Sequence, residues 1–328
     1  MRKYFLFFIL FLLLIFGVFF WKGIYLPMDT DSNVEKVFIV EKGEATSEIA
    51  YNLEKEGFIR SGSLFRVYTF LKGISGRLQA GEYLLFPGMT VPEITEKFIS
   101  GKVVGIKITI PEGFTINQIE ERLNRELKLK ISNFTVNYFK QDFGFLAAAP
   151  NNASLEGFLF PDTYQFSYKI NADGVLRKML DNFDKQLNSE IREEIAGQNK
   201  SIFAIVTMAS LIEKEVNNFE DRTLVSGVLW KRLENGIPLQ VDATIIYITG
   251  KKTTRVSKEE TKIDSPYNTY KYPGLPVGPI SNPGIESILA SVYPKDSPFW
   301  YYLSTPEGEN IFSRTLEEHN IAKSKYLK

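Results

Sequence analysis

The sequence predicts an α+β protein: an N-terminal transmembrane helix, a small α+β domain and a larger mixed α/β domain. Three observations carry this. The chain opens on an apolar run long enough to cross a bilayer. A strand, a glycine turn and an amphipathic helix then recur three times. The second half alternates apolar helical stretches with loops rich in Pro and Gly.

With 328 residues, the chain has room for about two domains plus extras. Net charge is +0 and no basic stripe is visible, so nucleic acid is not an expected partner. The absence of Cys excludes disulfides, thiolate metal sites and Cys nucleophiles. A single His, His319, excludes sites that need several histidines, and there is no D-x-D-x-D-G loop. No metal and no cofactor are expected.

Residues 1–3 form a short N-terminus and residues 4–21 the apolar span, interrupted only by Gly17. Arg2 and Lys3 before it place the N-terminus in the cytoplasm and the rest outside, periplasmic in a Gram-negative cell. A signal peptide would have a shorter apolar region and a small-residue cleavage site. The exit here is F-F-W-K-G-I-Y, so an uncleaved anchor is expected. Residues 22–35 then read as a polar linker.

Val37–Val40, Tyr83–Phe86 and Ile106–Ile110 read as strands followed by Gly43, Gly88 and Gly113. The apolar pairs Ile49/Leu53, Ile94/Phe98 and Ile119/Leu123 follow at equal spacings, as amphipathic helices require. Thr90 with Glu93, and Thr115 with Gln118, have capping-box spacing, whereas the first unit has Ala45 there. The first two units make up the small domain, residues 36–103, and the third is assigned to the larger domain, residues 104–328. Ser63–Leu71 reads as a further helix and Glu120–Leu146 as largely helical. A strand followed by G-x-T-x-x-x-I is similar to the start of LysM modules, which bind N-acetylglucosamine-containing glycans. A purely structural role is the alternative.

The larger domain centres on F-A-I-V-T-M-A-S-L-I-E-K-E, Phe203–Glu215, a mostly apolar helix ending in two carboxylates. Helical residues advance by about 100°, so Glu213 and Glu215 point to nearly opposite sides. One turn below Glu213 lie Ala209 and Ser210, then Val206; these small residues leave room for a substrate. A carboxyl beside a cleft on such a helix should be desolvated and its pKa raised, as a general acid needs. The alternative is that both glutamates pair with Lys or Arg or close the helix at the surface.

Around this helix stand L-E-G-F-L-F-P-D-T-Y (Leu155–Tyr164), L-Q-V-D-A-T (Leu239–Thr244), P-Y-N-T-Y (Pro266–Tyr270) and G-L-P-V-G-P-I-S-N-P-G (Gly274–Gly284). The Pro/Gly-rich segment implies a rigid, shaped loop. A charged helical region is expected over 171–198, a helix over 221–234 and a short one over 286–292. A hairpin turning at Gly308 and a last helix carrying E-H-N, Glu318–Asn320, complete the reading.

These motifs, in this order, resemble the endolytic murein transglycosylases of the MltG (YceG-like) family, over nearly all of the chain after the linker. The resemblance implies that the first Glu of E-K-E, Glu213, is catalytic. It implies a membrane-anchored lyase that cuts the MurNAc-β-1,4-GlcNAc bond of nascent peptidoglycan strands, leaves 1,6-anhydro-MurNAc ends and so ends strand elongation. Peptidoglycan strands, the membrane and cell-wall synthesis enzymes are the partners it implies. One carboxyl suffices: Glu213 protonates the leaving oxygen, then takes the proton of the muramic C6 hydroxyl as that oxygen attacks C1. Gln240, Asp242, Tyr267, Asn268, Ser281 and Asn282 are candidate substrate-binding residues, with Ser210, Thr244, Glu156 and Asp162 behind them. Turn hydrogen bonding is the other reading of these side chains. His319 is expected to cap or pack its helix. A hydrolytic muramidase using Asp242 or Glu215 to activate water, and a non-catalytic peptidoglycan-binding scaffold, are the competing functions.

Overall fold

The computed structural model describes residues 2–30, 32, 34–101, 104–251, 253 and 255–327. Of the expected boundaries, Met1, Asp31 and Asn33 of the N-terminus and linker, and Val103 at the end of the small domain, lie outside the described residues. The chain divides into two compact units, Met1–Ile106 and Lys107–Lys328.

The first unit begins with α1 (Arg2–Tyr25), whose segment Phe7–Tyr25 is long and apolar enough to cross a membrane. It runs past the expected end at residue 21. The reason is tertiary: Ile24 is 0% exposed within the core of the unit, and Gly23 allows the Leu64 side chain to lie against the helix. The linker is not free either. Arg60 donates to the Pro27 carbonyl (2.7 Å), and the Asp29 N–H to that of Pro87 (3.1 Å).

β1 (Lys36–Val40), α2 (Thr46–Lys55), α3 (Gly62–Leu71), β2 (Gly81–Leu85) and α4 (Val91–Ser100) complete this unit. β1 and β2 pair antiparallel, with Phe38 opposite Tyr83. Phe38, Tyr83 and Phe98 form one aromatic cluster beneath the helices. The expected capping box of Thr90 and Glu93 is present, and α2 starts at Ala45 with no side-chain cap.

β3 (Ile106–Thr109) leads into the second unit and is followed by α5 (Ile116–Leu127), started by the Thr115/Gln118 capping box. The expected helix over 120–146 is interrupted. Lys128 turns left-handed (φ 59), and Glu120 accepts the N–H groups of Ile131 and Ser132 (2.6 Å each), which pulls the chain back over α5. Only the short α6 (Val136–Phe139) and a 3-10 turn at Gly144–Leu146 follow. β4 (Thr163–Phe166) pairs with β3.

Next come α7 (Ala172–Gln186), α8 (Ser189–Gly197), α9 (Ile202–Glu215), α10 (Phe219–Glu234) and α11 (Asp242–Thr249). After the long loop stands α12 (Ile285–Val292), then the antiparallel hairpin of β5 (Tyr301–Ser304) and β6 (Asn310–Ser313), then α13 (Leu316–Tyr326). The fold is thus α+β, and this unit is mainly helical with two small ribbons. α9 is its centre: every residue from Ile205 to Ile212 is buried, and α8, α10, α11 and α12 pack on it. Trp230 of α10 donates to the Ser291 carbonyl of α12 (2.9 Å), tying two of these neighbours together.

Candidate active site

Glu213 and Glu215 leave the last turn of α9 in opposite directions, as the helical period requires. The Glu213 side chain is only 6% exposed. Its Oε2 accepts the Gly284 N–H (3.1 Å) and the Ser287 hydroxyl (2.7 Å), and its Oε1 lies 3.4 Å from the Arg222 guanidinium. Gly284 is the N-cap of α12, so the carboxyl sits at a helix N-terminus, where free N–H groups favour an anion. Arg222, on α10, is buried; it also pairs with Glu286 (2.8 Å) and donates to the Val216 carbonyl.

The turn Pro111–Glu112–Gly113 covers the other side. Gly113 is left-handed (φ 72), and a Cβ there would stand 3.5 Å from Glu213 Cγ. Lys214 donates to the Gly113 carbonyl (3.3 Å). The Glu112 carboxyl lies against the Cα of Gly284, in the space a side chain would fill. Glu112 is itself exposed. Its pKa is raised, first by partial burial, then by the negative charge of Glu213 and also of Glu286, against the opposing charge of Arg222.

Glu215 faces the hairpin and α11. It accepts from the Tyr302 hydroxyl (3.1 Å) and from the Ala243 N–H, and burial together with nearby Asp242 pushes it up to about 7. Asp242, exposed at the first turn of α11, accepts from the Tyr270 hydroxyl. Gln240 is exposed and left-handed (φ 56), and its side chain accepts from Arg232 (2.9 Å).

The small-residue face below Glu213 is not open to a ligand. Val206, Ala209 and Ser210 are all 0% exposed. Ser210 accepts the Ile280 N–H (3.0 Å), and its carbonyl accepts the Ser281 hydroxyl (3.2 Å). The small side chains let the Pro/Gly-rich loop approach the helix, instead of leaving room for a substrate.

Asn282, also 0% exposed, joins three segments. Its side chain accepts from Leu159 N–H and donates to the Phe114 carbonyl and to Glu156 (2.9 Å each). Glu156 is 2% exposed, and also takes the Ile116 N–H (2.9 Å) and the Tyr247 hydroxyl (3.3 Å). Burial outweighs these donors and pushes it up to about 8. Thr244 and Asn268 are buried and spend their hydrogen bonds inside the 241–271 loops. Asp162 holds a turn, accepting from Thr163 N–H and Asn182.

Tyr267 lies elsewhere, 5.0 Å centroid to centroid from the Tyr247 ring. It borders a cavity of about 180 Å³ with Glu156, Phe203 and Pro279, beside the start of α9 and away from Glu213. His319 packs on the Tyr301 ring (5.2 Å) and is pushed down to about 4 by burial. It is the fourth residue of α13, and it serves as a packing group, as expected.

Glu112, Arg222, Gly284 and Ser287 went unrecognised as site residues in the sequence. Glu112 and Gly113 were legible as a strand-end turn. Arg222 and Ser287 reach Glu213 from 9 and 74 positions away, and no periodicity links residues on different helices.

Comparison with known proteins agrees with this architecture. The sequence profile of the YceG-like family matches residues 38–325. An endolytic murein transglycosylase of Bacillus subtilis (strain 168) is 35% identical, the match covering 96% of this chain and 91% of that one. One of Streptococcus pneumoniae serotype 2 is 31% identical, over 91% of this chain and 60% of its own length. The crystal structure of a putative yceG-like protein from Listeria monocytogenes superposes with a TM-score of 0.61 at 34% identity, covering 88% of this chain and 100% of that one. With the profile spanning both units and the likeness extending to fold as well as sequence, the chain belongs to the YceG-like family.

Proposed function

We propose that the protein is an endolytic peptidoglycan lytic transglycosylase, held in the membrane by α1, with Glu213 as its acid–base carboxyl. The observation that carries this is Glu213 itself: a carboxyl on an apolar helix, gripped by Arg222, Gly284 and Ser287, in a chain matching murein transglycosylases over almost its whole length. The carboxyl protonates the oxygen leaving C1 of MurNAc. The C6 hydroxyl of the same sugar attacks C1 and returns its proton to the carboxylate, leaving a 1,6-anhydro end. Acid–base assistance of this kind is worth about a hundredfold to ten-thousandfold. The intramolecular nucleophile supplies much of what a second, water-activating carboxylate supplies in ordinary glycosidases.

The bulky exit of α1 supports an uncleaved single-pass anchor, and Arg2 and Lys3 before the span support an N-terminus inside with the chain after the span outside the cytoplasm. The strand–glycine–helix pattern of the first unit supports a LysM-like role in holding glycan, and synthetic enzymes of the wall are the partners such an enzyme works beside. Gln240, Asp242 and Tyr267 are the exposed or half-buried polar groups suited to sugar contacts. Ser210, Ser281, Asn282, Thr244, Asn268, Glu156 and Asp162 serve by shaping the loops.

Digestion of purified glycan strands with mass analysis tests the reading. Anhydro ends are lighter by one water than the ends a hydrolytic muramidase leaves. A wild-type protein giving only hydrated ends, or none, refutes it.

A further inference from the structure

α3 carries an apolar surface that the first unit leaves uncovered. Phe70 is 76% exposed and Leu71 70%, the highest values for large apolar side chains outside α1 among the described residues. Val67, one turn back on the same face, is 41% exposed. Single exposed apolar residues are ordinary, but three together on one helical face form a patch. Arg66 and Lys72 flank it and are exposed, as is Arg77 in the next turn. Residues 57–81 contain no Asp or Glu.

Two contacts fix the direction of α3 relative to α1. Arg60, just before α3, donates to the carbonyls of Pro27 (2.7 Å) and Met28 (3.3 Å), which follow the end of α1. Leu64, at the start of α3, takes the space beside Gly23 inside α1. α3 therefore runs back along α1, towards its apolar part. At about 1.5 Å per residue, Leu71 stands roughly 10 Å beyond Leu64 along the helix axis. The core of the unit also packs against Phe20, within the apolar segment Phe7–Tyr25. The unit is thus seated on the end of the span, and the last turn of α3 points back beside it.

We propose that the C-terminal turn of α3 is a second membrane contact of the first unit. Val67, Phe70 and Leu71 bed into the lipid surface, and Arg66, Lys72 and Arg77 reach its phosphate headgroups. The inference rests on α1 being a membrane anchor and goes beyond it. An apolar patch bordered by cations and free of carboxylates matches the boundary between acyl chains and anionic headgroups. A polar glycan strand would leave the two aromatic and aliphatic side chains at the tip in water. The contact sets the height at which the first unit stands above the bilayer.

The chain has no Cys, so single cysteines can be spin-labelled without background. The full chain is placed in vesicles of phosphatidylcholine and phosphatidylglycerol. Each label is tested against oxygen, which concentrates in lipid, and a water-soluble nickel complex. Labels at Phe70→Cys and Leu71→Cys should respond more to oxygen than to nickel. A label at Glu56→Cys, at the C-cap of α2 near the Arg60 end, should show the reverse. Leu14→Cys, within the span, reports the anchor itself. Arg66→Glu combined with Lys72→Glu should shift the label at 71 towards the aqueous response. Aqueous labels at 70 and 71, with the label at 14 in lipid, overturn the inference alone. Labels that neither reagent reaches show protein covering the face and also overturn it. So does a label at 71 that the two charge reversals leave unmoved. A label at 14 in water overturns the anchor and this inference together.

Discussion

Glu213 and Glu215 are two positions apart, yet their surroundings have little in common. Glu213 meets an arginine, a helix N-terminus and a hydroxyl; Glu215 meets Tyr302 and the start of α11. Glu213→Gln keeps the shape but cannot supply a proton. It is expected to fold, to bind glycan and to lose cleavage by about a hundredfold or more. Glu215→Gln should keep most of its activity. If Glu215→Gln is the folded, inactive protein and Glu213→Gln still releases anhydro ends, the assignment is wrong.

The burial of Glu215 also sets how the stability of Glu215→Gln depends on pH. With its carboxyl pushed up to about 7 from 4.5, the wild type loses stability as pH rises from the unfolded value through the folded one. The Gln variant avoids that loss and should gain on wild type across this window. Glu156, raised to about 8, follows the same sign over a wider range. The stability difference between wild type and Glu156→Gln should therefore shift in favour of the variant between pH 5 and pH 8. Denaturant titrations at both pH values measure it, and a difference independent of pH would contradict the shift.

At the scale of elements, the site is made by a loop laid across a helix. Gly157 is a tight point where the two meet. Its φ is +90°, and a Cβ there would lie 2.5 Å from Pro279 and 2.8 Å from Val206. Gly157→Ala combines left-handed strain with a clash against two buried neighbours. It is expected to cost roughly 2–4 kcal/mol in urea unfolding. Asn282→Ala removes the partner of Leu159 N–H and one donor to Glu156, leaving buried groups unpaired at about 1–3 kcal/mol each. A melting temperature unchanged in both variants would mean that the loop is not what holds α5 and α9 in register.

At the scale of the whole molecule, α1 is both an apolar span and part of a folded unit. Ile24 belongs to the same buried cluster as Phe58, Phe65 and Phe98. Ile24→Ala is expected to destabilise the first unit by about 2–4 kcal/mol. Removing the helix before residue 25 would take Ile24 with it, which adds a structural reason for keeping the anchor. Fractionation is expected to find the intact chain in the membrane. A soluble mature protein beginning near residue 25 would falsify this.

The sequence by itself determined what local chemistry can encode. The span, the caps at Thr90 and Thr115, the hairpin at Gly308 and the opposed faces of Glu213 and Glu215 all depend on neighbours within a turn or two. The motifs also carried the family. Only the tertiary structure decided what those residues touch. It turned the small face of α9 from a substrate groove into the seat of a loop. It broke the helix expected over 120–146 through Glu120, gave His319 the Tyr301 ring to pack on, and brought Glu112 and Arg222 to Glu213. The physical reason is range. Periodicity and capping are set by residues three or four apart, whereas a buried carboxyl takes its partners and its proton affinity from chains packed against it from distant parts of the sequence.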